Sequence, residues 1–329
     1  MPRQSAFRRR RPLRRAALTL MAACVLAGSA TLDAAAADDS AGAPAAAAAD
    51  DSAPAADPVP AARKLATPFL RGVNDWSCKP SARHPRPLVL VHGTLSLRHE
   101  FVLTAPTYKK AGYCVFALDY GREPLTGLLV GGTASMAKSA KELAVFVDGV
   151  LAATGTRKVD IVGYSQGGVL PRQYLKFEGG AAKVQTFVGI SPPNHGGRVA
   201  FLDDLLAEQP GFEAFLKAFL DPLGKLGDEL PLPCHACTDQ VQGSAFLRKL
   251  NAGGDTVPGV AYTVILSKRD AVLGRYQDHY LKAANAKNIL LSDVCPLRMP
   301  SHLGMAHDQV AAQLALNALD PAHPVKPTC

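Results

Sequence analysis

Six short apolar runs do most to limit what this chain can become. They lie at residues 87–91 (PLVLV), 113–118, 159–162, 184–190, 260–266 and 289–291. Several are apolar throughout rather than alternating, which is the pattern of strands covered on both faces of a sheet. Longer helical patterns separate them. The clearest covers 134–153, where Leu143, Phe146, Val147, Val150 and Leu151 share one helix face and Gly155 stands just past the end. Strands alternating with helices predict an α/β fold, with a mostly parallel sheet covered by helices on both faces. The rhythm breaks at 200–230. There Phe201, Leu205, Leu206, Phe212, Phe215, Leu216, Phe219 and Leu220 predict a small helical insertion above the sheet.

The ends of the chain have a different texture. Seven Arg fall within the first 15 positions, followed by an apolar run at 16–30 and small residues to Ala37. This is the layout of a secretory signal, so 1–37 is expected to be removed. The apolar run is about 15 residues, short of the roughly 20 that span a bilayer, so no integral membrane segment is expected once the signal is gone. The Arg cluster also suits a twin-arginine route, and Cys24 loosely resembles a lipoprotein site. Removing seven Arg and Asp33 from a net charge of +8 leaves +2, and with it goes the case for a nucleic-acid partner. Residues 38–62 are nearly all Ala, Asp, Pro and Ser, a composition that reads as a disordered linker. Residues 63–329 then form one domain.

Of seven cysteines, six remain after the signal: Cys78, Cys114, Cys234, Cys237, Cys295 and Cys329. An even number in an exported chain points to disulfides. Six cysteines allow 15 pairings; the expectation is 78 with 114, 234 with 237 and 295 with 329. The second is a tight loop, for which 237 with 295 is the alternative. The Cys234-His235-Ala236-Cys237 segment also has the form of a redox or zinc motif. It follows Pro231 and Pro233 in a loop-like stretch, however, and no second C-x-x-C completes a zinc site. No metal is expected.

Gly163-Tyr164-Ser165-Gln166-Gly167 is a G-x-S-x-G pattern between the strand VDIV and a helical stretch. In that setting a serine sits on a tight strand-to-helix turn as an acyl-transfer nucleophile, and the flanking glycines let the strained backbone pass. The developing oxyanion then needs two N–H donors. One is the amide of Gln166, and the other follows an early strand ending in His92-Gly93, which gives the amide of Thr94. His92 reads as a structural residue of that loop.

These stretches together resemble the secreted bacterial α/β-hydrolases of lipase class 2, in particular the actinobacterial type of secreted esterase and lipase. The matching segments are NDWSCKPSARHPRPLVLVHGT, AGYCVFALDYG, VDIVGYSQGG, CTDQVQGSAFLRKLN, PGVAYTVILSKRD and SHLG, spread over residues 74–329. The resemblance implies an α/β-hydrolase fold, with Ser165 as nucleophile, Asp270 as acid, His302 as base, and the amides of Thr94 and Gln166 as oxyanion hole. Such enzymes usually carry an acidic residue directly after the Asp, where this chain has Ala271.

Position along the chain points to the same acid and base. In the order Ser…Asp…His the acid should lie just past a later strand, and Asp270 comes four residues after the strand ending at Leu266. Asp255, in a Gly-rich turn, and Asp278, on a helix, are the rivals. His302 lies in a loop between the last strand and the last helix, whereas His307 opens that helix and His195 precedes the acid. The expected reaction is hydrolysis of an acyl ester or lipid through an acyl-enzyme, without a cofactor. Phe215 and Phe219 are the candidate acyl contacts, and contact with a lipid–water interface is a further expectation. An acyltransferase or polyester depolymerase would use the same triad; a non-catalytic binding module would not need it.

Overall fold

The apolar runs of the sequence become strands, and those of the first four are buried on both faces. The strands are β1 (Leu88–Val91), β2 (Val115–Leu118), β3 (Val159–Tyr164), β4 (Val184–Ile190), β5 (Ala261–Leu266) and β6 (Ala286–Leu290). They form a parallel six-stranded sheet in the order β2-β1-β3-β4-β5-β6. The structure is a computed structural model that describes residues 57–66, 70–124, 127, 129–197 and 234–329. The signal at 1–37 and the insertion at 200–230, with Phe215 and Phe219, lie outside the described residues.

Strand periodicity explains the two cores. In β1, Val89 and Val91 join one apolar cluster while Leu88 and Leu90 join another on the opposite face. The first cluster is closed by helix α3 (Met136–Thr154), which contributes Met136, Ala140, Leu143, Phe146, Val147 and Val150. Ser135 caps its start, accepting from the Lys138 N–H, and Gly155 ends it at a φ of 71°. The second cluster is closed by helix α2 (Ala105–Ala111) and the C-terminal helix α9 (Gln309–Leu319), with Tyr108, Val310, Ala311 and Leu314 facing in. Asp308 caps α9 by accepting the Ala311 N–H at 2.9 Å. The remaining helices are α4 (Leu170–Phe177), α5 (His235–Asp239), α6 (Ala245–Asn251), α7 (Leu291–Val294) and α8 (His302–Ala306); α1 is described below.

The structure departs from the sequence expectations in four places. The stretch read as linker folds at its end: helix α1 (Val59–Lys64) packs Ala62, fully buried, on Gly149, where a Cβ would collide with the Ala62 methyl. An Ala-rich segment buries little area per residue, so composition hides a helix that fits by being small. Strand β6 starts earlier than 289 and carries Lys287 and Asn288, because a half-buried strand at the sheet edge tolerates polar residues. The Cys234–Cys237 pair opens a helix instead of lying wholly in a loop; the Cys234 sulfur accepts the Cys237 N–H at 3.2 Å and so caps the single turn of α5. His302 likewise begins a one-turn helix, α8, capped by Ser301.

Disulfides join Cys78 to Cys114, Cys234 to Cys237 and Cys295 to Cys329. The strand order reverses between β1 and β3, and the loops leaving their carboxyl ends open a crevice there. Thr94, after β1, and Ser165 and Gln166, after β3, lie along that rim.

Candidate active site

Ser165 leaves β3 with a φ of 51°, in the left-handed region that a side chain makes costly. Close packing holds it there. A Cβ at Gly163 would overlap the Gly167 carbonyl, and one at Gly167 would overlap the Val91 carbonyl of β1. From this turn the chain enters a short 3-10 segment, Ser165–Gly168, and then α4.

His302 reaches the serine from the far edge of the sheet. The Tyr164 hydroxyl donates to the His302 carbonyl at 2.8 Å, and the Ser267 hydroxyl donates to the Pro300 carbonyl at 2.6 Å. So held, the imidazole puts Nε2 2.8 Å from Ser165 Oγ and Nδ1 2.9 and 2.8 Å from the two carboxylate oxygens of Asp270. Asp270 also accepts the Leu273 N–H at 3.1 Å. The His302 ring is fully buried and Asp270 nearly so.

Of the rival residues, His195 and Asp255 are engaged with each other. His195 Nε2 lies 3.0 Å from Asp255 and its Nδ1 lies 2.6 Å from the Asp278 carbonyl. Asp255 also meets the buried Arg172 guanidinium at 3.5 Å. Burial alone would raise the Asp255 pKa, but hydrogen bonds from His195 and the Lys282 amide, with the charges of His195 and Arg172, pull it down to about 2. The Asp278 carboxylate is exposed near Arg275, and His307 lies on the rim of the cavity before Ser165. His92 is a structural residue. Its Nε2 faces the Tyr120 N–H at 3.3 Å, which leaves the proton on Nδ1, 2.8 Å from the Gly93 carbonyl. Burial pushes its pKa down to about 3, so the ring is neutral.

Thr94 and Gln166 stand side by side, with Thr94 Oγ1 donating to Gln166 Oε1 at 2.7 Å. Among the described residues no backbone hydrogen bond outside the helices and strands uses the N–H of either one. Before them lies a cavity of about 190 Å³ lined by Leu95, Ser96, Glu100, Tyr164, Leu303 and Ala306 as well as Ser165. A larger hollow of about 430 Å³ lies at the amino ends of β5 and β6, near Asn285 and Asn317, and contains none of the predicted site residues. Among the described residues no three His, Cys, Asp or Glu side chains gather as a metal site.

Sequence reasoning missed three features of this site. Glu100 accepts the Gly93 N–H at 2.6 Å, Gln240 donates to Thr94 Oγ1 at 3.0 Å, and Gly131-Gly132 pack behind the loop of Gly93 and Thr94. Only the paired glycines left a signal. A Cβ at Gly132 would collide with the Gly93 carbonyl, and this is the close approach that such a pair permits.

Solved structures share the architecture. Aspergillus fumigatus lipase B aligns with a TM-score of 0.54 at 18% identity over 74% of this chain and 53% of its own, so this chain spans about half the length of that one. The mature form of a Bacillus licheniformis lipase aligns with a TM-score of 0.51 at 16% identity, over 73% of this chain and 94% of its own. At such identities the likeness concerns the fold. That fold, with a serine on the turn after β3, defines an α/β-hydrolase. Residues 85–314 match the family Lipase (class 2), and the chain belongs to that family. No curated protein matches the chain.

Proposed function

We propose that this protein is an exported carboxylic ester hydrolase that works through Ser165, His302 and Asp270. The observation that carries the reading is the continuous hydrogen-bond chain from Ser165 Oγ through both His302 nitrogens to Asp270, built from segments that follow three different strands. His302 Nε2 takes the Ser165 proton as Oγ attacks the ester carbonyl, and Asp270, accepting a hydrogen bond from Nδ1–H, stabilises the imidazolium that forms. The oxyanion meets the backbone N–H groups of Thr94 and Gln166. The imidazolium then protonates the leaving alcohol, and water repeats the attack on the acyl-enzyme. Leu95, Leu303 and Ala306 give the cavity an apolar wall that suits an acyl chain.

Export is supported by the Arg-rich leader with its apolar run and by three bridges among six cysteines. Among the described residues no helix is long and apolar enough to cross a membrane.

Replacing Ser165 by Ala tests the reading. Ester turnover should fall by roughly 10⁶, as when a serine hydrolase loses its nucleophile. An active-serine phosphonate should label Ser165 in the wild type alone, as read by peptide mass. Activity within about tenfold of wild type would exclude Ser165 as nucleophile.

A further inference from the structure

We infer that Gln240 is a positioning residue of the oxyanion hole, setting the spacing between the loops that carry Thr94 and Gln166. The inference rests on the oxyanion assignment proposed above and gives a role to a residue that lies within the matching segment CTDQVQGSAFLRKLN but to which neither motif nor spacing assigns one. Thr94 follows β1 and Gln166 follows β3, and the two are 72 positions apart in sequence. Their N–H groups must sit together to within a fraction of an ångström, because misplacement by about 1 Å costs roughly 10²-fold in rate. A side-chain triangle joins the two loops. Thr94 Oγ1 gives its proton to Gln166 Oε1 at 2.7 Å, and Gln240 Nε2 donates to both, at 3.0 Å to Thr94 Oγ1 and 3.1 Å to Gln166 Oε1. The same nitrogen lies 3.1 Å from the Ala236 carbonyl, which can only accept, so the amide group turns its N–H₂ into the triangle.

All three side chains are buried, and the third corner of the triangle is itself held on several sides. Gln240 follows α5, whose first turn is closed by the Cys234–Cys237 bridge. The Ala236 N–H donates to the Thr133 carbonyl at 3.1 Å, and Asp239 accepts the Met136 N–H at 2.8 Å. The Gly197 N–H donates to the Gln240 carbonyl at 3.0 Å. Gln240 thus brings a third, independently braced segment to the back of the hole, where buried donors keep their geometry because no water competes for them.

Gln240→Met, which keeps the volume but removes the donors, and Gln240→Glu would be compared with wild type and Ser165→Ala on a short p-nitrophenyl ester. The readouts are kcat, KM, thermal melting and inhibition by a boronic acid that forms a tetrahedral adduct. For Gln240→Met we expect kcat to fall about 10- to 100-fold with KM within about twofold, and boronate inhibition to weaken by a similar factor. Gln240→Glu should match it at pH 8 and regain activity relative to wild type as pH falls, because a protonated carboxyl restores one donor. A structural residue alone would move melting without this split or this pH dependence. Wild-type kcat in Gln240→Met, with Ser165→Ala inactive, overturns the inference alone. An active Ser165→Ala overturns the underlying reading instead.

Discussion

Asp270 presents both carboxylate oxygens to His302 Nδ1, so the ring is held with its other nitrogen toward Ser165. An amide in its place offers N–H to a nitrogen that should itself donate, which reverses the tautomer. Asp270→Asn should therefore lower ester turnover by roughly 10⁴ without unfolding the protein. Asp278→Asn should stay within about threefold, as expected of an exposed carboxylate away from the triad; turnover of the two variants distinguishes acid from bystander. Glu100 has a different effect. Burial beside Ser165 pushes its carboxyl up to about 7, against the lowering effects of the Gly93 N–H, Ser96 and His302. Because the folded-state pKa lies above the ordinary carboxyl value of 4.5, its contribution to stability is full below about pH 4.5 and is lost as pH rises to about 7. Glu100→Gln should remove that loss, seen as a smaller fall in the denaturant midpoint between pH 5 and 8. It should also remove a titration near pH 7 from the kcat/KM profile.

Elements carry the site because each strand ends on the same side of the sheet. The strand–turn–helix around Ser165 was legible at this scale, since its glycines and apolar run act locally. The last strand was less so, because an edge position relaxes the demand for apolar side chains that makes strands readable. The 200–230 segment lies outside the described residues, and its proposed contact with substrate rests on its Phe-rich amphipathic pattern. If it lines the acyl site, Phe215→Asp and Phe219→Asp should impair hydrolysis of long-chain esters more than of acetate esters at unchanged melting temperature. Equal losses on both, together with a lowered melting temperature, would make the segment part of the core.

On the scale of the whole molecule the disulfides divide into two kinds. Cys78–Cys114 and Cys295–Cys329 close loops with sequence separations of 36 and 34, whereas Cys234–Cys237 spans 3. On loop entropy each long bridge contributes about 4 kcal/mol and the short one less than half of that. Replacing Cys295 and Cys329 by Ser should thus shift the denaturant midpoint with little change in kcat per folded molecule. Replacing Cys234 and Cys237 should do the reverse, since α5 leads into Gln240. The amino-acid sequence by itself determined the parallel α/β class and the glycine-flanked turn at Ser165, because hydrophobic period and glycine placement are properties of neighbouring residues. Tertiary structure alone decided that His302 and Asp270 meet at Ser165 while His195 is taken by Asp255. It alone also brought Glu100 and Gln240 to the oxyanion loops. Those contacts join segments as much as 146 positions apart. A polar side chain at such a distance has no periodicity to reveal it; only the packing of the sheet and the loops at its carboxyl end selects its partner.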